Sequence, residues 1–203
     1  MVAVTEPTAL GKIRLLRRRI EPVDPIVTDR RRASLIRQQY LDNWPTEEGV
    51  AAMVDLNTIH VLSLSAADEL IVKWLERART RRTTLLAVLA TFDREVKQTL
   101  DRALREGRQA AYYVRSSPTH EKAEIIGDVT KTQRDTLDAL RVADTPEITA
   151  KGLSDLLNLQ PNTANMRLTD LFERGLLLRD AARNGSTAYA YPRMDRIQLE
   201  PPD

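Results

Sequence analysis

The clearest periodicity in the chain lies between residues 130 and 193, where three segments of helical period precede two short apolar runs. The first segment spans about Thr132 to Val142 and turns Leu137, Ala139 and Leu140 inward. Pro146 interrupts the chain, and Thr149 is a good N-cap for a second helix with Leu153, Leu156 and Leu157 on its buried stripe. Asn158, Leu159 and Gln160 form a tight turn with Leu159 as the apolar plug. Pro161 then occupies the first turn of a third helix, where its missing N–H costs nothing. Ala164, Leu168 and Leu171 recur at i, i+4 and i+7 and fix the inner face of that helix. The stretch from Glu173 to Leu176 ends the helix and starts a two-stranded hairpin that turns at Asn184-Gly185.

Upstream, residues 50–129 alternate between strand and helix periods. Val50 to Leu62 reads as extended, with a break at Asn57-Thr58. Leu64 to Arg79 reads as a helix carrying Leu70, Ile71, Trp74 and Leu75 on one face. Thr84 to Ala90 is an apolar strand, and Asp93 to Arg105 a helix with Val96, Leu100, Ala103 and Leu104 inward, closed by Gly107. Ala110 to Val114 is a further strand. The expected fold is therefore α/β plus α+β: a small α/β layer domain over 50–129, followed by the helical and hairpin unit over 130–193. Residues 1–49 are expected to be a basic arm, loop-like around Pro7, Pro22 and Pro25, with a docking helix from Arg30 to about Leu41 capped by Asp29 and striped by Leu35, Ile36 and Tyr40. Residues 194–203 are expected to fray.

Composition narrows the chemistry. The chain has no cysteine and only two histidines, His60 and His120, which excludes disulfides, thiolate metal sites and cysteine nucleophiles and disfavours a histidine metal centre. The seven glycines are scattered singly, so no phosphate-cradling loop is present, and neither a cofactor nor an enzymatic activity is expected. No apolar run approaches the ~20 residues that span a bilayer. Arg17 to Arg19 follow the apolar residues of the N-terminus instead of preceding them, so no signal peptide and a cytoplasmic location are expected. Aromatic residues are 4% of the chain, too few for a single-strand stacking platform. The first 40 residues carry nine basic against four acidic residues, a candidate phosphate-touching arm, whereas residues 130–193 are nearly balanced at nine against eight.

The third helix of the C-terminal unit carries the candidate chemistry. Opposite its apolar stripe stand Asn162, Thr163, Asn165, Met166, Arg167 and Asp170, most of them in its N-terminal half. Major-groove reading needs such groups there: carboxamides pair with adenine edges, guanidinium with guanine edges or phosphate. Through Thr163, Leu168, Leu171, Glu173, Gly175 and Leu176 this region resembles the winged helix-turn-helix of MarR and ArsR type regulators. The resemblance implies that Gln160, Asn162, Thr163, Asn165, Met166 and Arg167 lie at the DNA groove. It also implies that Arg183, Asn184 and Gly185 form a wing touching a neighbouring phosphate or the minor groove. Met166 departs from the pattern, since such helices often carry a basic residue there. The function implied is transcriptional regulation by reading double-stranded DNA, as a homodimer because operators are usually read by dimers.

A second pattern runs from Val54 to Leu70, where a strand enters a serine turn and then a helix. Ser65, with Asp68 three residues on, forms a capping-box-like start. With the strand, helix and strand downstream, residues 50–115 resemble the STAS-type domain of anti-anti-sigma factors. That resemblance implies a sensing or docking domain with a protein partner, and Ser65 as a regulatory phosphorylation site; the family's acid two residues earlier is Ser63 here. The residues alone also read Ser65 simply as an N-cap. The competing function is a protein-interaction switch in which the winged helix is scaffold and does not read DNA. His60, alternating with Ile59 and Val61, reads as a strand histidine, and His120 as part of a solvated loop.

Overall fold

The computed structural model describes residues 14–44, 51–80, 85–115, 123–143, 147–180, 187–191 and 198–199. The chain is mixed α/β. Its centre is a six-stranded sheet built from β1 (Arg14–Arg19), β3 (Ala51–Asp55), β5 (Leu86–Ala90), β6 (Ala110–Val114), β7 (Glu124–Gly127) and β11 (Gln198–Leu199). The spatial order is β11-β1-β3-β5-β6-β7, parallel throughout except for the antiparallel β7. β11 returns to the edge beside β1, opposite β7. From β1 to β6 the parallel strands lie side by side in chain order and each crossover steps in the same direction, which puts the helices connecting them on one face of the sheet. These are α1 (Arg30–Tyr40), α2 (Leu64–Ala67) continuing through a π turn (Asp68–Val72) into α3 (Lys73–Thr80), and α4 (Arg94–Glu106).

The three central strands are buried along their whole length, which explains their near-continuous apolar sequences. Ala52, Val54, Ala87, Leu89, Ala111 and Tyr113 face the helices and share a core with Ile36, Leu70, Ile71, Trp74, Leu100 and Leu104. Their neighbours Ala51, Met53, Leu86, Val88, Ala110 and Tyr112 face the other way, into a second core. That second core is completed by α5 (Lys131–Ala143), α6 (Ala150–Leu157), α7 (Pro161–Glu173) and a three-stranded antiparallel sheet of order β8-β10-β9. Its strands are β8 (Glu147–Thr149), β9 (Leu178–Asp180) and β10 (Ala188–Ala190). The architecture is three layers: helices, sheet, and the C-terminal helical unit. A two-stranded parallel ladder, β2 (Ile26–Val27) with β4 (Val61–Leu62), flanks them.

The two chain ends differ most from expectation. Residues 14–19 are not a solvated arm: β1 pairs with all five residues of β3. The sequence Arg-Leu-Leu-Arg-Arg-Arg hides this strand because its cations are accommodated by tertiary partners. Leu15 and Ile20 are fully buried, Arg17 and Arg19 pair with Asp55, and the Arg18 guanidinium lies 4.9 Å from the Trp44 ring centre while donating to the Tyr40 carbonyl. Gln198 and Leu199, expected to fray, add a parallel edge strand to β1. The docking helix is present, capped by the Asp29 carboxylate accepting from the Arg32 amide at 2.8 Å. Its stripe is shifted: Ala33 and Ile36 are buried, whereas Leu35 is 57% exposed. Buried Arg37 sits among them, held by Asp42 at 2.7 Å and Glu69 at 2.9 Å.

Candidate nucleic-acid interface

α6 and α7 are joined by a turn whose geometry the local sequence dictates. The Thr149 hydroxyl accepts from the Gly152 amide at 3.2 Å and starts α6. Asn158 closes α6 in the left-handed region (φ 51°), a conformation asparagine tolerates well. The buried Ser154 hydroxyl donates to the Leu159 carbonyl at 2.6 Å, and the Leu159 amide donates back to the Ser154 carbonyl at 3.0 Å. Gln160 is extended and its side chain makes no capping bond, so the first-turn amides of α7 face outward uncapped behind Pro161. Free N–H groups at a helix start favour a negatively charged group.

Ala164, Leu168 and Leu171 are fully buried, as the spacing predicts. Turning about 100° per residue from that stripe places Asn162 and Met166 at the outward apex, one turn apart. Thr163 and Asn165 flank them; all four are exposed, as is Gln160. Met166 is 71% exposed. The flanks are then tied down. On one side Asp170 accepts from the Gln133 amide at 2.5 Å, and Arg167 Nη1 lies 3.4 Å from the Thr136 hydroxyl, a long contact that draws the guanidinium toward α5. On the other side the Thr169 and Tyr189 hydroxyls are 3.2 Å apart, fixing α7 to β10. Phe172 packs edge-on to Tyr189, with Arg179 over its ring at 4.4 Å.

Arg167 is therefore half-buried and engaged with α5, not freely displayed as its sequence position suggests. Leu156, expected in the buried stripe of α6, is exposed, because Leu153 and Ser154 face inward in its place. Arg183, Asn184 and Gly185 lie outside the described residues, as does His120. The clamps that position α7 (Gln133, Thr136, Tyr189) come from segments far apart in the chain, and no spacing rule reveals them.

The C-terminus of α7 is seated on the central sheet. Arg174 donates to the Asp128 carbonyl at 2.7 Å, and Gly175 adopts φ +66°. A Cβ there would lie 2.5 Å from the Leu85 carbonyl oxygen, so glycine is required both by backbone and by space. Behind it Arg79 donates to the Ala110 carbonyl at 2.9 Å and to Gln109. Burial lowers its guanidinium to about 10, and the charge of Arg174 adds to the shift. Tyr112 completes the joint, donating from the sheet to the Leu176 carbonyl at 2.7 Å.

The serine turn lies on the helical side of the sheet. Ser63, not Ser65, is the cap: it is extended (ψ 158°) and its hydroxyl accepts from the Ala66 amide at 3.2 Å while donating to the Thr28 carbonyl at 2.8 Å. Ser65 is already in the first helical turn, which is why it cannot cap. Its exposed hydroxyl lies 3.1 Å from that of Ser63. It borders an open cavity of about 540 Å³ lined among others by Arg30, Asp68, Lys73, Glu106 and Arg108. His60, expected within a strand, lies in a bend just before β4; it is exposed, and its backbone amide donates to the Pro25 carbonyl.

Among the described residues, no group of three or more histidine or acidic side chains is arranged to hold a metal ion, and no helix is long and apolar enough to cross a membrane. No protein-family model, curated protein or solved structure matches this chain.

Proposed function

We propose that the chain is a sequence-specific double-stranded DNA-binding transcriptional regulator. In this reading α5 to α7 and the β8-β10-β9 sheet form a winged helix-turn-helix, with α7 as the recognition helix. The observation that carries it is the outward face of α7. Its N-terminal half displays Asn162, Thr163, Asn165 and Met166, while every larger apolar residue of the opposite face is buried. A helix used only as scaffold has no need of a clustered amide and hydroxyl face beside uncapped first-turn amides. The charge pattern limits the affinity of the helix itself, since Asp170 and the exposed Glu173 follow Arg167; among the described residues of the unit, exposed Lys131, Arg134, Lys151 and Arg179 can add phosphate attraction. Function as a homodimer on a two-fold related site belongs to the same proposal.

The parallel sheet, with its helices on one face and an exposed Ser65 at a helix start, supports a STAS-like sensing or docking role for the first part of the chain. Ser65 is the residue a partner kinase would modify. The phosphate would add about two negative charges to a cavity whose lining includes Arg30, Lys73 and Arg108 as well as Asp68, Glu76 and Glu106. A second reading, a protein-interaction switch with an inert winged helix, is favoured by one observation: the C-terminal unit shares a continuous core with the sheet, as a structural scaffold would.

Selection of genomic fragments by the purified chain at low and high salt separates the two. A short palindromic motif whose binding weakens steeply with salt is the expected result. Retention of no fragment at low salt points to the switch. Within the first outcome, Asn165→Ala is expected to lower affinity for the selected site by roughly 1–3 kcal/mol with an unchanged melting temperature, since the side chain is exposed.

A further inference from the structure

The reading face of α7 is unusual in what it presents at its apex. The only guanidinium of the helix, Arg167, lies off the apex and toward Thr136 of α5. The apex itself carries a carboxamide, Asn162, and one turn later a thioether, Met166, which is 71% exposed. Toward the C-terminus the exposed Glu173 and the α5-bound Asp170 repel phosphate, which confines close approach to the first two turns. A helix start that enters a major groove thus offers an adenine-pairing group and an apolar tip side by side, with the one guanidinium of the helix, the group best matched to guanine, drawn aside toward α5. A methionine at the apex of such a helix is matched in the major groove by one apolar feature, the 5-methyl group of thymine.

We infer that α7 is built to read A·T pairs: the Asn162 carboxamide engages the N6/N7 edge of an adenine, and Met166 packs on the thymine methyl of a neighbouring pair. The inference rests on the DNA-binding reading and sharpens it, making Met166 a specificity-determining residue. The departure from a basic residue at this position is then the feature that sets base preference.

The test uses the purified full-length chain in three forms, the parent, Met166→Ala and Asn162→Ala. Duplexes selected by the parent are compared by fluorescence anisotropy with the same duplexes carrying deoxyuridine for thymidine, one position at a time. Loss of one buried methyl should weaken parent binding about fourfold at a single thymine within the half-site. Met166→Ala should show the same loss on normal DNA and no further loss on the uracil duplex. Asn162→Ala should weaken binding roughly tenfold or more and relax the preference at the adjacent adenine. Both side chains are exposed, so equal melting temperatures for the three proteins exclude a folding effect. Selected sites with G·C at the centre of each half-site, or a parent indifferent to uracil at every position, would overturn the inference while leaving DNA binding intact. Absence of binding to any duplex at low salt would instead remove the DNA-binding reading and the inference with it.

Discussion

At the scale of single residues, the polar groups that matter most are those the fold buries beside charge. Asp55 ends β3 with its carboxyl wholly out of solvent. Burial by itself would raise its pKa. The Arg17 hydrogen bond at 2.5 Å, the Asn57 amide and the charges of Arg17 and Arg19 outweigh burial and hold the carboxyl below its ordinary range. The same carboxylate orders Asn57, whose side-chain oxygen accepts from the Phe92 amide at 2.7 Å, so one acid ties the ends of β1, β3 and β5 together. Because the folded pKa is depressed, its stabilisation is complete above the unfolded value near 3.8 and is lost as pH falls through the lower folded value. Asp55→Asn is expected to cost on the order of 2 kcal/mol at neutral pH. Thermal melts across pH 7 to 2 should show the gap between variant and parent closing on the acid side; a constant gap would mean that the ion pairs contribute nothing. The sequence places Asp55 within an extended segment and shows nothing of its ion pairs, since Arg17 and Arg19 lie 38 and 36 positions away.

At the scale of elements, local signals were strongest where a cap or a proline fixes one dihedral angle. Asp29, Asp93 and Thr149 cap α1, α4 and α6, and Pro161 opens α7, each as the residue types require. The serine turn shows the limit of that reasoning. Ser63 and Ser65 are equally good caps by type, and the Thr28 carbonyl, brought close by the β2-β4 ladder, favours Ser63. β7 was not visible in sequence, because Glu-Ile-Ile-Gly is too short to show a period; the hydrogen-bonding edge of β6 recruits it. A prediction belongs here. Thr149→Ala removes the α6 cap and should lower stability by about 1 kcal/mol. Since α6 packs on α7 across the turn, the DNA affinity proposed for α7 should fall with it, whereas restoring the hydroxyl with Thr149→Ser should recover both. Loss of stability without recovery by serine would show that the threonine methyl, not the cap, is what the site needs.

At the scale of the whole molecule, the boundary near residue 130 that the sequence suggests is a boundary of secondary structure and not of the core. Leu15, Met53, Leu86, Val88 and Tyr112 on the sheet share one apolar cluster with Leu137, Leu153, Leu168 and Leu177. Tyr112, Arg174 and Gly175 add polar and steric joints across it. Unfolding followed in parallel by far-ultraviolet circular dichroism and by tryptophan fluorescence should give one coincident transition. Both tryptophans lie on the helical side of the sheet, where the Trp74 indole donates to the Trp44 carbonyl at 3.0 Å. Two separated transitions would show that the units fold independently despite the shared core.

The sequence by itself determined the mixed α/β class, the caps of α1, α4 and α6, the central apolar strands and the inward phase of α7, because each is set by neighbours within a few residues. It also determined which groups α7 turns outward, since a helix that buries Ala164, Leu168 and Leu171 must expose Asn162 and Met166. Tertiary structure alone decided that the arginine-rich segment 14–19 is a strand paired on both sides, that residues 198–199 supply an edge, that Arg167 leans on α5, and that the sheet has a second buried face. Those outcomes depend on ion pairs, ladder hydrogen bonds and packing between residues tens of positions apart. The free energy of such contacts is absent from any local window, and it is large enough to override what the window prefers.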